Sequence, residues 1–195
     1  MQDDLPVLWG RGMLGDLCRM YQPKTISISE LSDKNSYRVY GANGTVGYYS
    51  QYNHSESEIA MACRGNSCGV INRTMPYSWI TGNAMVIQMR DNTISNEYLL
   101  QALRYANIKG AITGSGQPQL TRENLEKVRI HIPPKKILLK FSTIIEPLVN
   151  IRLQIMREID FLIKQRDELL PLLMNGQVTV MPTEVNCDLA AEMAA

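Results

Sequence analysis

KKILLKFSTIIEPLVNIRLQIMREIDFLIKQRDELLPLLMN, residues 135–175, holds no glycine and returns an apolar residue every seven positions, at Phe141, Leu148, Ile155, Leu162 and Leu169. Three and four residues after these lie Ile144 and Ile145, Ile151, Ile159, then Leu172 and Leu173, with Glu158 and Gln165 as polar exceptions. Seven-residue spacing keeps one stripe on one side of an α-helix, the pattern of a coiled-coil seam. The spacing predicts a helix over 135–176, about 60 Å long at 1.5 Å per residue. Gly176 should end it, Pro171 falls in its last turns, and Pro147 should kink or break it. A stripe of that length is too long for one small domain to cover, so it asks for a second helix. Phe141, Leu148, Ile151, Ile155, Ile159, Leu162 and Leu169 are the expected dimerisation residues. Residues 177–195 read as a frayed C-terminal tail.

Upstream of residue 135 the pattern changes. Glycine and asparagine punctuate short apolar or alternating runs at Tyr37 to Tyr40, Val46 to Tyr49, Glu58 to Cys63, Gly69 to Ile71 and Ala84 to Met89, which predicts strands joined by tight loops. Ser95 then caps a helix whose stripe is Tyr98, Leu99, Ala102, Leu103 and Ala106. A glycine-rich polar loop follows over Gly110 to Leu120. Thr121 caps a second short helix, and Val128 to Ile132 alternates as a strand that stops at Pro133 and Pro134. The expected fold class is therefore α+β: a globular domain over 1–134 with a twisted β-sheet and short helices, then one long coiled-coil-forming helix.

The chain of 195 residues is 45% hydrophobic, enough to bury a core. Its N-terminus carries Asp3 and Asp4 where a secretory signal would carry bases, and no stretch reaches the roughly 18 apolar residues of a membrane span, so a cytoplasmic location is expected. Cys18, Cys63, Cys68 and Cys187 read as free thiols in such a chain, and no Cys/His pairing completes a metal site. The net charge of +1 hides a division. Residues 1–58 hold five Lys/Arg against seven Asp/Glu, net −2, whereas residues 59–140 hold eleven against four, net +7. The basic half is where a polyanion would go.

The chain offers little that could carry catalytic chemistry. With His54 and His131 as its two histidines, the chain lacks the supply for three-histidine centres. Gly114-Ser115-Gly116 has the wrong spacing for a nucleophile elbow, and Gly41 to Gly47 lacks the lysine of a phosphate loop. A DNA methyltransferase would need an Asn/Asp-Pro-Pro-Tyr/Phe stretch to hold a flipped base; Met75-Pro76-Tyr77 lacks the amide. No catalytic residue and no cofactor is assigned. Such a chain reads as a binding protein.

Several of these stretches together resemble the specificity (S) subunits of type I restriction-modification systems. The series runs from Leu14-Gly15-Asp16-Leu17 through Tyr40 to Tyr48, Cys63 to Gly69 and Ala84 to Ile87. It continues with Gly114-Ser115-Gly116-Gln117-Pro118-Gln119-Leu120-Thr121, the paired prolines 133 and 134, and Arg166 to Gln177. Family S subunits usually carry two target-recognition domains, each followed by a long helix, with the two helices packed antiparallel as a spacer. One domain and one helix make this a half-length form. The resemblance implies double-stranded DNA as ligand, a homodimer reading a symmetric, interrupted site, and modification (methyltransferase) and restriction subunits as partners that hold the chemistry.

Base reading needs planar donors and acceptors on loops, and phosphate contacts need cations and hydroxyls. On that basis the candidate base readers are Arg64, Asn66, Arg73 and Gln117. The candidate phosphate contacts are Tyr48, Tyr49, Ser67, Lys109, Thr113 and Ser115. Tyr77 and Trp79 could stack on bases, with core packing as the plainer role. Two rival readings use the same residues: the DNA-recognition fragment of a fused methyltransferase-nuclease, and a protein-interaction adaptor built around the coiled-coil helix.

Overall fold

The structure, a computed structural model, describes residues 9–91 and 93–177. The expected tail beyond Gln177, with Cys187, lies outside the described residues. The chain divides into two units, with the break between Val149 and Asn150. Among the described residues the first contains all the strands and three short α-helices: β1 (Gly10–Met13), α1 (Leu14–Leu17), β2 (Cys18–Tyr21), β3 (Tyr37–Gly41), β4 (Gly44–Tyr49), β5 (Ile59–Ala62), β6 (Ile71–Arg73), β7 (Trp79–Ile80), β8 (Ala84–Met89), α2 (Asn96–Tyr105), α3 (Arg122–Glu126) and β9 (Arg129–Ile132). The long helix α4 (Lys135–Met174) begins in the first unit and continues into the second.

The α+β class is as expected, with the strands dealt into three small sheets rather than one: β1-β9, β2-β8-β5-β6, and β4-β3-β7. The paired strands β5 and β8 explain why the sheets stack. Their antiparallel register sets Ile59 against Ile87 and Met61 against Met85, and between them Ala60 against Val86 and Ala62 against Ala84. Because side chains alternate along a strand, the large residues share one face and the small ones the other. The large face meets Leu99, Leu100 and Leu103 of α2, together with Leu14, Leu120, Leu125 and Ile130, in the main core. The small face lets Tyr40 and Ile80 of the β4-β3-β7 sheet close over Ala60, Ala84 and Val86. Each fully buried Leu or Ile contributes about 1.5–3 kcal/mol relative to exposure.

Helix starts follow their caps. The Ser95 hydroxyl accepts from the Tyr98 N–H at 3.3 Å, and the Thr121 hydroxyl accepts from the Asn124 N–H at 3.3 Å. The Tyr98 hydroxyl donates to the His131 carbonyl at 2.8 Å, tying α2 to β9, and burial pushes its pKa up to about 12. Its ring also packs edge-to-face on Phe141, centroids 5.9 Å apart, while Leu138 is buried.

Of the two outcomes expected at Pro147, a break does not occur: α4 is one helix from Lys135 to Met174, the missing N–H and the crowded preceding carbonyl being a local cost that the flanking turns can carry. Its C-terminus is as expected. Gly176 adopts φ +67°, its N–H donates to Leu173 O at 3.1 Å, and Gln177 N–H donates to Leu172 O at 2.9 Å, the pattern of a glycine-closed Schellman turn. Among the described residues no helix is long and apolar enough to cross a membrane.

Candidate nucleic-acid interface

The loop between β5 and β6 folds on itself. Gly69 N–H donates to Ala62 O and Ala62 N–H to Val70 O, both at 2.8 Å, while Cys68 N–H reaches Gly65 O and Val70 N–H reaches Ser67 O, both at 2.9 Å. This takes left-handed backbone at Gly65 (φ +75°) and Gly69 (φ +88°). A second loop, 113–120, closes by mutual bonds: Thr113 N–H to Gln119 O at 2.9 Å and Gln119 N–H to Thr113 O at 2.7 Å. At its tip Gly114 has φ +91°, and a Cβ there would stand 2.5 Å from Gln117 O. Only glycine fits.

The two loops are bonded to each other although some fifty residues separate them. Gly65 N–H donates to Pro118 O and Leu120 N–H to Cys63 O, each at 3.0 Å, and Arg64 bridges Gln119. A third segment, the 3-10 turn Lys109–Ala111, joins through its flanks, since Ile108 and Ile112 lie beneath Gly69. The structure therefore brings seven of the ten candidates onto one edge. Arg64, Asn66, Lys109, Thr113, Ser115 and Gln117 are exposed there, and Ser67 is half-buried. Neither Arg64 nor Lys109 has an ion-pair partner among the described residues. Beneath them Cys63 is buried, its sulfur accepting from Gln22 Nε2 at 2.9 Å and donating to Asn83 O at 3.1 Å. Burial pushes this thiol's pKa up, against the lowering by Gln22 and Arg64. It serves as a floor for the loop and not as a nucleophile.

Arg73 is the correction. Its side chain is 9% exposed, its Nε donates to Glu97 Oε1 at 3.0 Å, and its Nη1 donates to the Ser57 carbonyl. The guanidinium fastens β6 to α2 and is not offered to a base. Tyr48 and Tyr49 lie apart from the loop edge, on β4 in the three-stranded sheet. The Tyr49 ring meets Trp79 edge-to-face at 5.2 Å and its hydroxyl donates to Glu30 Oε1 at 3.3 Å. Burial, with Glu30 adding to it, raises its pKa. Trp79 packs and donates to Lys24 O, so the packing role holds for it. Tyr77 differs: it is 54% exposed, adopts φ +53°, and stacks edge-to-face on Tyr52, which does the same on Tyr37.

The dimerisation candidates separate as well. Leu148, Ile151, Ile155, Ile159, Leu162 and Leu169 on α4 are 47–56% exposed, whereas Phe141 is half-buried against Tyr98 of the first unit. Phe141 therefore belongs to the domain packing, whereas Ile144, one turn on, is already 68% exposed and opens the stripe. His54, placed by sequence in a polar loop, is buried: Tyr21 Oη and His54 Nε2 are 2.9 Å apart, and Asn53 Oδ1 lies at Nδ1. Burial lowers its pKa below 6.5.

An α+β domain of three small sheets, followed by one long helix, is a fold that can be compared with solved proteins. The fold matches an S subunit from M. genitalium with a TM-score of 0.67 at 13% identity, covering 89% of this chain and 47% of that one. It matches the HsdS subunit of Thermoanaerobacter tengcongensis with a TM-score of 0.52 at 15% identity, covering 80% and 41%. In sequence, the chain is 30% identical over 111 residues to the specificity subunit of the type I restriction enzyme MjaIX from Methanocaldococcus jannaschii, 54% of this chain and 25% of that protein. The model of the type I restriction modification DNA specificity domain matches residues 6–165, and the chain belongs to that family. It spans less than half the length of these solved relatives.

Proposed function

We propose that this chain reads DNA sequence for a type I restriction-modification enzyme and holds no catalytic centre of its own. Residues 1–134 act as the target-recognition domain and residues 135–176 as spacer and dimerisation helix. The observation that carries this reading is the bonding of the 63–69 loop to the 113–120 loop, which holds Arg64, Asn66 and Gln117 on one preorganised edge. Arg is suited to a guanine edge and Asn or Gln to an adenine edge in the major groove. Lys109, Thr113, Ser115 and Ser67 beside them supply phosphate contacts that fix register. Arg73 drops out of the base-reading set.

A homodimer completes the reader. The open stripe from Ile144 to Leu169 pairs with its copy, and a two-fold pair reads two symmetric half-sites separated by a fixed gap. Modification subunits clasp the DNA around the pair and the restriction subunit joins them. Methylation mapping of a host genome with and without the gene, the modification subunit being present, tests this directly. A lost motif of two symmetric half-sites is the expected result, and an unchanged methylome would sink the proposal.

A further inference from the structure

Between α2 and the outer face of the β1-β9 ribbon lies a pocket of about 980 Å³, at the upper end of the range for small-molecule sites. It adjoins the recognition loops at Thr113 but is built from other side chains. The ribbon sets Arg11 opposite His131 and Arg129 opposite Met13, so alternation places all four on one face. Arg11, Lys127, Arg129 and His131 line the pocket, and none of its lining residues is an aspartate or glutamate. Trp9 and Tyr105 line it too, and Tyr105 is 81% exposed, far beyond what packing would ask of an aromatic ring on a helix. Gln101 of α2 adds an amide that can donate and accept.

A wall of aromatic rings favours a planar heterocycle, and a rim of cations free of carboxylates favours an anion. A nucleoside phosphate combines the two. We propose that this pocket binds a free purine nucleotide, the base stacked on Tyr105 or Trp9 with Gln101 at its edge, and the phosphates held by Arg11, Lys127 and Arg129. The site would let nucleotide supply bear on a DNA-reading subunit, yet its chemistry stands whether or not the loops read DNA.

Trp9 gives the readout, since the chain has two tryptophans and Trp79 packs elsewhere. The full-length chain is titrated with ATP, AMP, adenosine and inorganic triphosphate at physiological salt, and tryptophan emission is followed. ATP should cause a saturable change with an affinity tighter than about 1 mM, and the change should vanish in Trp9→Phe. ATP should bind at least about tenfold tighter than adenosine. Reversing the exposed cations with Lys127→Glu and Arg129→Glu should erase that advantage while leaving circular dichroism and adenosine binding in place. Arg11→Glu, in the same assay, covers the case in which the double variant misfolds. No saturable change, equal ATP binding after charge reversal, or inorganic triphosphate binding as well as ATP would each overturn the proposal.

Discussion

Along the loop edge the backbone is tied to itself and to its neighbour loop, and the exposed side chains are an arginine, a lysine, amides and hydroxyls. Along α4 the backbone is just as fully occupied, yet one exposed stripe is leucine and isoleucine, each about half open. The first surface costs nothing to leave in water, since its polar groups are solvated until a ligand replaces that water. The second keeps a long apolar face hydrated, which is unfavourable at about 25 cal/mol per Å². The difference teaches that only one of these surfaces demands a partner for stability. The other offers one for recognition.

The comparison breaks most readily at the stripe. Replacing Ile155 and Leu162 by glutamate removes two buried side chains per chain in the dimer, four in all, at about 1.5–3 kcal/mol each. Loss of at least about 6 kcal/mol of association is expected, enough to make the protein monomeric at micromolar concentration. Sedimentation velocity checks it; a wild-type monomer under the same conditions would remove the homodimer outright. Thermal unfolding of the first unit should be unaffected.

Two arginines sharpen the other side. Arg73→Ala removes the largely buried ion pair to Glu97 that fastens β6 to α2 and should destabilise the domain by about 3 kcal/mol, read as a lower melting temperature. Arg64→Ala should leave the melting temperature alone and cost about 1–3 kcal/mol of discrimination at one base pair, read by competition binding against mutated sites. Equal effects of the two on stability would show that Arg64, too, is structural.

Much of this arrangement was legible in the residues, and the exceptions share a cause. The caps at Ser95 and Thr121, the strand at Ala84–Met89, the long helix and its Gly176 terminus depend on neighbours in sequence, and each lies where its pattern predicts. β1 did not announce itself: Gly10-Arg11-Gly12-Met13 has neither alternation nor strand formers, and it exists because β9 pairs with it from residues 129–132. Arg73 looked like a base reader because sequence shows its charge and hides Glu97, which tertiary folding brings alongside. The joining of loops 63–69 and 113–120 was equally hidden, since hydrogen bonds between backbone groups leave no trace in residue type. Gly114, however, carried a readable signal. Gly114→Ala forces a Cβ to within 2.5 Å of Gln117 O in a left-handed turn, and about 1–3 kcal/mol of stability should go with it. Weakened binding at the loop edge should accompany the lower melting temperature.

The smallest expected effect separates the two regions by pH. Burial depresses the pKa of His54 in the folded chain, while the unfolded chain titrates near 6.5. The unfolded state therefore binds the proton first as pH falls. Stability contributed by neutral His54 is fully present above 6.5 and is lost as pH drops toward the folded value, with a slope of at most about 1.4 kcal/mol per pH unit. Glu58, whose pKa burial raises from 4.5, works in the opposite sense, so the measurement is a difference: wild type against His54→Gln, unfolded at pH 7.5 and at 5.5. Wild type should lose more stability over that interval than the variant. The concentration dependence of dimerisation should not change with His54, because an apolar stripe gives this histidine nothing to act on. A pH effect of His54→Gln on dimerisation and not on unfolding would mean that the domain, rather than the stripe, holds the pair together.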